Sequence, residues 1–158
     1  MHHAMKRGSP DLAHIREIDV SYSCKMPPSE LPVVEGPEEA CKLFLDSWDK
    51  SKIELQEQFR VMLLTNTNGC LGIATLSTGG LVSCDVDLKL AFGMALKARA
   101  RHIIIAHNHP SGCMLPSEQD KRLTERFKAA GVLLDTPLTD HLIVTRESYL
   151  SFQERGLL

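Results

Sequence analysis

The run Ile103-Ile104-Ile105-Ala106 constrains this chain more than any other stretch. Consecutive β-branched side chains suit a pleated, covered surface, so the run reads as a buried strand over 102–107. Other segments supply its neighbours. Residues 57–65 read as a strand, with Phe59, Val61 and Leu63 on one face and Met62 and Leu64 on the other. Asn66-Thr67-Asn68-Gly69 is a turn signal, and 70–76 is the return strand of a hairpin. A first helix begins at Pro37-Glu38-Glu39, where proline suits the first turn and acids suit its positive end. Trp48 falls on the apolar stripe of that helix and reads as a core residue. After a second turn at Gly79-Gly80, residues 81–83 lead to Asp85, the expected N-cap of a helix over 86–101. A third helix is expected from Ser117 to Ala130, stopped by Gly131. The short runs 132–134 and 142–145 read as strands, and 149–152 as a small terminal element. Hairpin, helix, strand, helix, strand, strand is a mixed β-sheet flanked by helices, a three-layer α/β arrangement.

The buried strand runs directly into His107-Asn108-His109-Pro110-Ser111-Gly112. Residues two apart share a strand face, so His107 and His109 aim both imidazoles at one point, while Asn108 points away and orders the loop. Pro110 and Gly112 end the strand and turn the chain. Ser117 and Asp120 then open the next helix, and Asp120 brings a carboxylate back toward the histidines. Two imidazoles and one carboxylate form a three-ligand zinc set that leaves a position for water, the composition of a catalytic site. Ser117-x-x-Asp120 also reads as a capping box that satisfies helix N–H groups. The two roles are compatible.

The spacing H-x-H, seven residues, S-x-x-D resembles the signature of the JAB/JAMM metallopeptidases, and the wording HNHPSG resembles the RadC branch of that family. The similarity extends over roughly 36–158: Glu57-Gln58-Phe59 is similar to the branch's E-x-F, Asp140-His141-Leu142-Ile143-Val144 to its D-H-x-I-V, and Ser77-Thr78-Gly79-Gly80 to its glycine-bearing turn. The resemblance implies a JAB/JAMM fold, similar to the cytidine-deaminase-like architecture, holding one zinc ion per chain on His107, His109 and Asp120. It also favours Glu57 over the nearby Glu54 as the general base that takes a proton from water. Ser117 is then the donor to a developing oxyanion. His141 weighs toward a packed, hydrogen-bonded role rather than a fourth ligand. Two features depart from the branch. Residues 1–35 are too short and proline-rich for the helix-hairpin-helix usual there, and Cys113 stands where an acid often follows HNHPSG. Residues 1–35 read as an N-terminal arm, with Val20-Ser21-Tyr22-Ser23 as a candidate edge strand, and 36–158 as the domain. The early histidines, His2, His3 and His14, read as a disordered start or a remnant tag rather than a metal tract.

Composition narrows the partners. The chain has 158 residues, 24% charged, with a net charge of −2. A domain that grips nucleic acid usually carries a strong basic excess. Its densest cationic patch, Lys97, Arg99 and Arg101 with His102, reads first as a helix C-terminus complementing the macrodipole. No apolar run approaches the ~20 residues of a membrane span, and residues 1–10 lack the apolar core of a secretory signal. Five cysteines (24, 41, 70, 84, 113) without a C-x-x-C pair point to a reducing cytoplasm. The expected activity is zinc-dependent hydrolysis of amide or isopeptide bonds in a protein or peptide substrate. Two rivals differ in kind: a DNA-repair or mobile-element accessory protein acting on or near DNA, and an interaction module that keeps the site without turnover. Oligomeric state is not legible.

Overall fold

The computed structural model describes residues 26–79 and 86–158. The expected edge strand at 20–23, the turn residue Gly80, the run 81–83 and the expected cap Asp85 lie outside these residues. A short 3-10 helix, Pro28–Glu30, is followed by α1 (Pro37–Ser47), β1 (Gln58–Leu64), β2 (Cys70–Thr78), α2 (Leu88–Lys97), β3 (His102–Asn108), α3 (Glu118–Leu133), β4 (Leu138–Val144) and β5 (Tyr149–Ser151). The five strands form one sheet in the order β2-β1-β3-β4-β5. β3 lies parallel to β4 through the α3 crossover, and the other pairs are antiparallel. The mixed three-layer arrangement expected from the sequence is the one found.

Each strand's alternation feeds two cores. Phe59, Val61, Leu63, Ile103 and Ile105 pack under α2 and α3, against Ala91, Phe92, Ala95 and Phe127. Met62, Leu64, Ile104 and Ala106 pack under α1, against Ala40, Phe44 and Trp48. Trp48 is buried, with the Arg60 guanidinium 5.0 Å from its ring centroid. The described end of the arm is part of this packing. Leu31 and Val34 are buried, Val33 bridges to Gly69, and the Cys70 N–H donates to the Pro32 carbonyl at 2.8 Å.

Helix boundaries differ from the sequence expectation for one physical reason. α2 starts on Asp87, whose carboxylate accepts from the Lys89 N–H at 2.8 Å, and stops at Lys97 because Arg99 turns left-handed (φ 57°). α3 runs through Gly131 to Leu133, so residues 132–134 form no strand, and Asp135 (φ 51°) is the left-handed residue that ends it. In both, the residue after the turn donates back to the helix: Ala100 N–H to Ala95 O and Thr136 N–H to Gly131 O, each at 2.8 Å. These are Schellman closures made without glycine. Gly131 serves another need, since a Cβ there would lie 2.7 Å from the Thr136 carbonyl oxygen.

Candidate metal centre

Topology brings the expected residues to one end of the sheet. The parallel β3-α3-β4 crossover sets the start of α3 beside the carboxyl end of β3, and the antiparallel pairing sets the start of β1 beside the same end. In that register Phe59 lies opposite His107, and the two rings stack with centroids 5.9 Å apart. Glu57, half-buried, lies just before β1 and two residues from Phe59, the ladder partner of His107.

His107, His109 and Asp120 converge, each offering one ligand atom within 4.8 Å of the others. The two Nε2 atoms are 2.9 Å apart, and Asp120 Oδ1 is 3.2 Å from His107 Nε2. Local structure aims each group. Beyond β3, Gly112 N–H donates to His109 O at 3.0 Å, and the left-handed Gly112 (φ 75°) folds the loop back over His109. The Cys113 carbonyl there contacts His109 Nδ1 at 2.5 Å. A carbonyl only accepts, so Nδ1 carries the proton and Nε2 presents its lone pair. Cys113 thus contributes its backbone, and its thiol is exposed and free.

Asp120 is held by the capping box. Both the N–H and the hydroxyl of Ser117 donate to Oδ2 at 2.7 Å, and Ser117 Oγ accepts the Asp120 N–H at 3.1 Å. Oδ1 is left for a third party. Burial alone would raise the Asp120 pKa, and the two Ser117 donors oppose that by stabilising the charged form, so that it lies below the usual carboxylate range. The carboxylate is therefore charged and pinned. Two imidazole nitrogens and a carboxylate oxygen facing one point fit a divalent ion such as zinc. The fit is also electrostatic, since a cation offsets the crowding of lone pairs at that point.

The single Ser117 proton is given to Asp120, so the oxyanion donation expected of it requires the hydroxyl to turn. Glu54, the rival base, is exposed and receives Arg146 Nη1 at 2.9 Å. It lines, with His109, Met114 and Glu147, a cleft of ≈ 350 Å³ that opens beside His109. Asn108 points to the other face, as expected, but what it orders is the lead-in to β1. Its amide donates to Ile53 O at 2.6 Å and Gln56 O at 2.9 Å, and its oxygen accepts the Gln58 N–H at 2.7 Å. That clamp brackets Glu57.

His141 is not among the converging ligands. It is fully buried, its ring stacked on Phe152 at 4.4 Å, and burial keeps its pKa well below the ordinary value. Nε2 lies 2.9 Å from His107 Nδ1, and Nδ1 lies 2.7 Å from Thr124 Oγ1. Sequence reading missed Thr124; its only sequence signal is a hydroxyl on the helix face between the inward-facing positions Leu123 and Phe127. The Asp140 carboxylate accepts from the His141 and Gln153 N–H groups and from the Ser151 hydroxyl, which ties β4 to the chain end.

In the cationic patch, Lys97 lies in the last turn of α2, Arg101 pairs with Asp135 at 2.5 Å, and His102 contacts Asn68 at 2.9 Å. No helix among the described residues is long and apolar enough to cross a membrane.

Comparison with known proteins follows the same geometry. The sequence profile described as "RadC-like JAB domain" matches residues 34–157. A "UPF0758 protein" of Flavobacterium johnsoniae is 43% identical over 101 residues, covering 64% of this chain and 44% of the relative. One of Porphyromonas gingivalis is 42% identical over 104 residues, covering 65% and 46%. One of Desulfitobacterium hafniense is 35% identical over 127 residues, covering 80% and 55%. The chain spans about half the length of these curated relatives, whose names state no activity.

Proposed function

Because the chain belongs to the RadC-like JAB domain family, we propose that it is a zinc-dependent hydrolase of amide or isopeptide bonds in a protein or peptide substrate. The observation that carries this reading is the convergence of His107, His109 and Asp120 beside an open cleft. His107, His109 and Asp120 would hold the zinc ion, which would supply Lewis acidity when bound. The chain's own residues do the rest. Glu57, steadied from both sides by the Asn108 clamp, takes a proton from the attacking water and passes it to the leaving amine. Ser117 keeps Asp120 in place through its backbone N–H when its hydroxyl swings toward the developing oxyanion. A donor of that kind is typically worth ~10²–10³ in rate. A reducing cytoplasmic setting goes with this reading, with Cys41, Cys70 and Cys113 as free thiols.

The test is a cleavage profile of the zinc-loaded protein on peptide, isopeptide and DNA substrates. Chelator-sensitive cleavage of a peptide or isopeptide is expected, and DNA cleavage in place of it would replace this reading with the nucleic-acid one. Glu57→Gln keeps size and hydrogen bonding but removes the basic carboxylate, and it removes no expected ligand. It should lower the rate by ~10²–10⁴ at unchanged zinc content. Near-full activity in this variant would reassign the base. With Arg101 spent on Asp135 and a net charge of −2, only weak, salt-sensitive duplex binding is expected.

A further inference from the structure

The hydrogen bonds behind His107 have a forced direction. Thr124 Oγ1 donates to the Asp120 carbonyl at 2.7 Å, and a carbonyl oxygen only accepts. A hydroxyl has one proton, so toward His141 Nδ1, 2.7 Å away, Thr124 is the acceptor and Nδ1 carries a hydrogen. His141 is walled in by Phe59 and Phe152, and among the described residues no carboxylate is hydrogen-bonded to its ring, so nothing there offsets a second proton on it. Its Nε2 is then a bare lone pair, and His107 Nδ1, 2.9 Å away, must donate to it. That leaves His107 Nε2 unprotonated, facing His109 Nε2 and Asp120 Oδ1. The chain of donors starts at one ligand's ring and ends on another ligand's backbone.

We propose that His141 and Thr124 are positioning residues that fix His107 in its Nδ1–H tautomer and so aim its Nε2 lone pair at the metal. This rests on the metal-site reading above. Histidine ligands usually donate their second nitrogen to a carboxylate, a carbonyl or water, all of which accept unconditionally. A histidine in that place accepts only while something else holds its own proton on the far nitrogen. Here that is Thr124, and the reverse setting, with Thr124 donating to His141, would put a proton on His107 Nε2 and close the site. His141 is therefore only as good an acceptor as Thr124 makes it.

Two readouts on the full chain test this: zinc affinity by competition with a chromophoric chelator, and the ring-nitrogen chemical shifts of His107 in metal-free protein. Thr124→Val keeps shape and removes the hydroxyl; Thr124→Ser keeps the hydroxyl and serves as the rescue. Wild type should show His107 as the Nδ1–H form, and Thr124→Val a mixture, with zinc affinity down about 10–100-fold. Thr124→Ser should stay near wild type in both. His141→Phe, which keeps the stacking on Phe152, should lose affinity as Thr124→Val does. If that variant fails to fold, Thr124→Val still decides. A wild-type His107 carrying its proton on Nε2, or Thr124→Val indistinguishable from wild type in both readouts, overturns the proposal. Failure of the metal reading has a different mark: no zinc uptake by wild type, while the His107 tautomer still responds to Thr124.

Discussion

The two ends of β3 are both polar, and they are polar in opposite ways. At the carboxyl end His107, His141, Thr124 and Asp120 are buried, between 0% and 8% exposed, and every one is hydrogen-bonded to another member of the group or to Ser117. At the amino end the Arg101 and Asp135 side chains are 54% and 82% exposed and touch across open water. A buried polar group costs free energy unless fully partnered, whereas an exposed pair costs little and contributes little. The contrast separates a site from punctuation. The amino end ties the closure of α3 to the strand edge, while the carboxyl end holds charge and lone pairs aimed at one point.

The largest expected effect at the carboxyl end comes from Asp120→Ala. Zinc affinity should fall beyond the ~10–100-fold typical of changes to outer partners, because a ligand itself is removed. The fold should survive, since Ser117 Oγ still accepts the backbone N–H of residue 120. Chelator competition and circular dichroism check both halves. Asn108→Ala sharpens the comparison from the other face of the strand. It strips partners from Ile53, Gln56 and Gln58 and should destabilise by about 1–3 kcal/mol. It should also slow hydrolysis by loosening Glu57, while zinc affinity stays near wild type. Denaturant unfolding and a metal titration separate these. At the amino end, Arg101→Ala should cost no more than about 1 kcal/mol and leave zinc affinity unchanged. A larger loss there, or a change in metal binding, would erase the distinction between the two ends.

Much of this was legible before the structure. The strand run at 103–106 and the split of Phe59, Val61 and Leu63 from Met62 and Leu64 follow from periodicity, and the convergence of His107, His109 and Asp120 was expected from their spacing together with the family resemblance. Helix ends were less legible, because the left-handed residues that stop α2 and α3 are Arg99 and Asp135, and the glycine that looked like a stop lies inside the helix. Three apolar residues at 132–134 carry too little periodicity to tell a strand from a last helical turn. The support behind His107 was legible only in part: a packed, hydrogen-bonded His141 was expected, but its partners were not. Thr124 and His141 are 17 positions apart, and which of them holds the proton follows only from their both meeting Asp120 and His107 in space.

The central claim is that the carboxyl end of β3 binds a metal through His107, His109 and Asp120. The most direct measurement is a zinc titration of metal-stripped protein, followed by elemental analysis, at neutral pH and after acidification. The account predicts about one zinc ion per chain. Uptake should weaken as pH falls, because a protonated imidazole has no lone pair to give and protons compete with the ion. Absence of uptake at neutral pH, or equal uptake by wild type and a protein carrying both His109→Ala and Asp120→Ala, would contradict it.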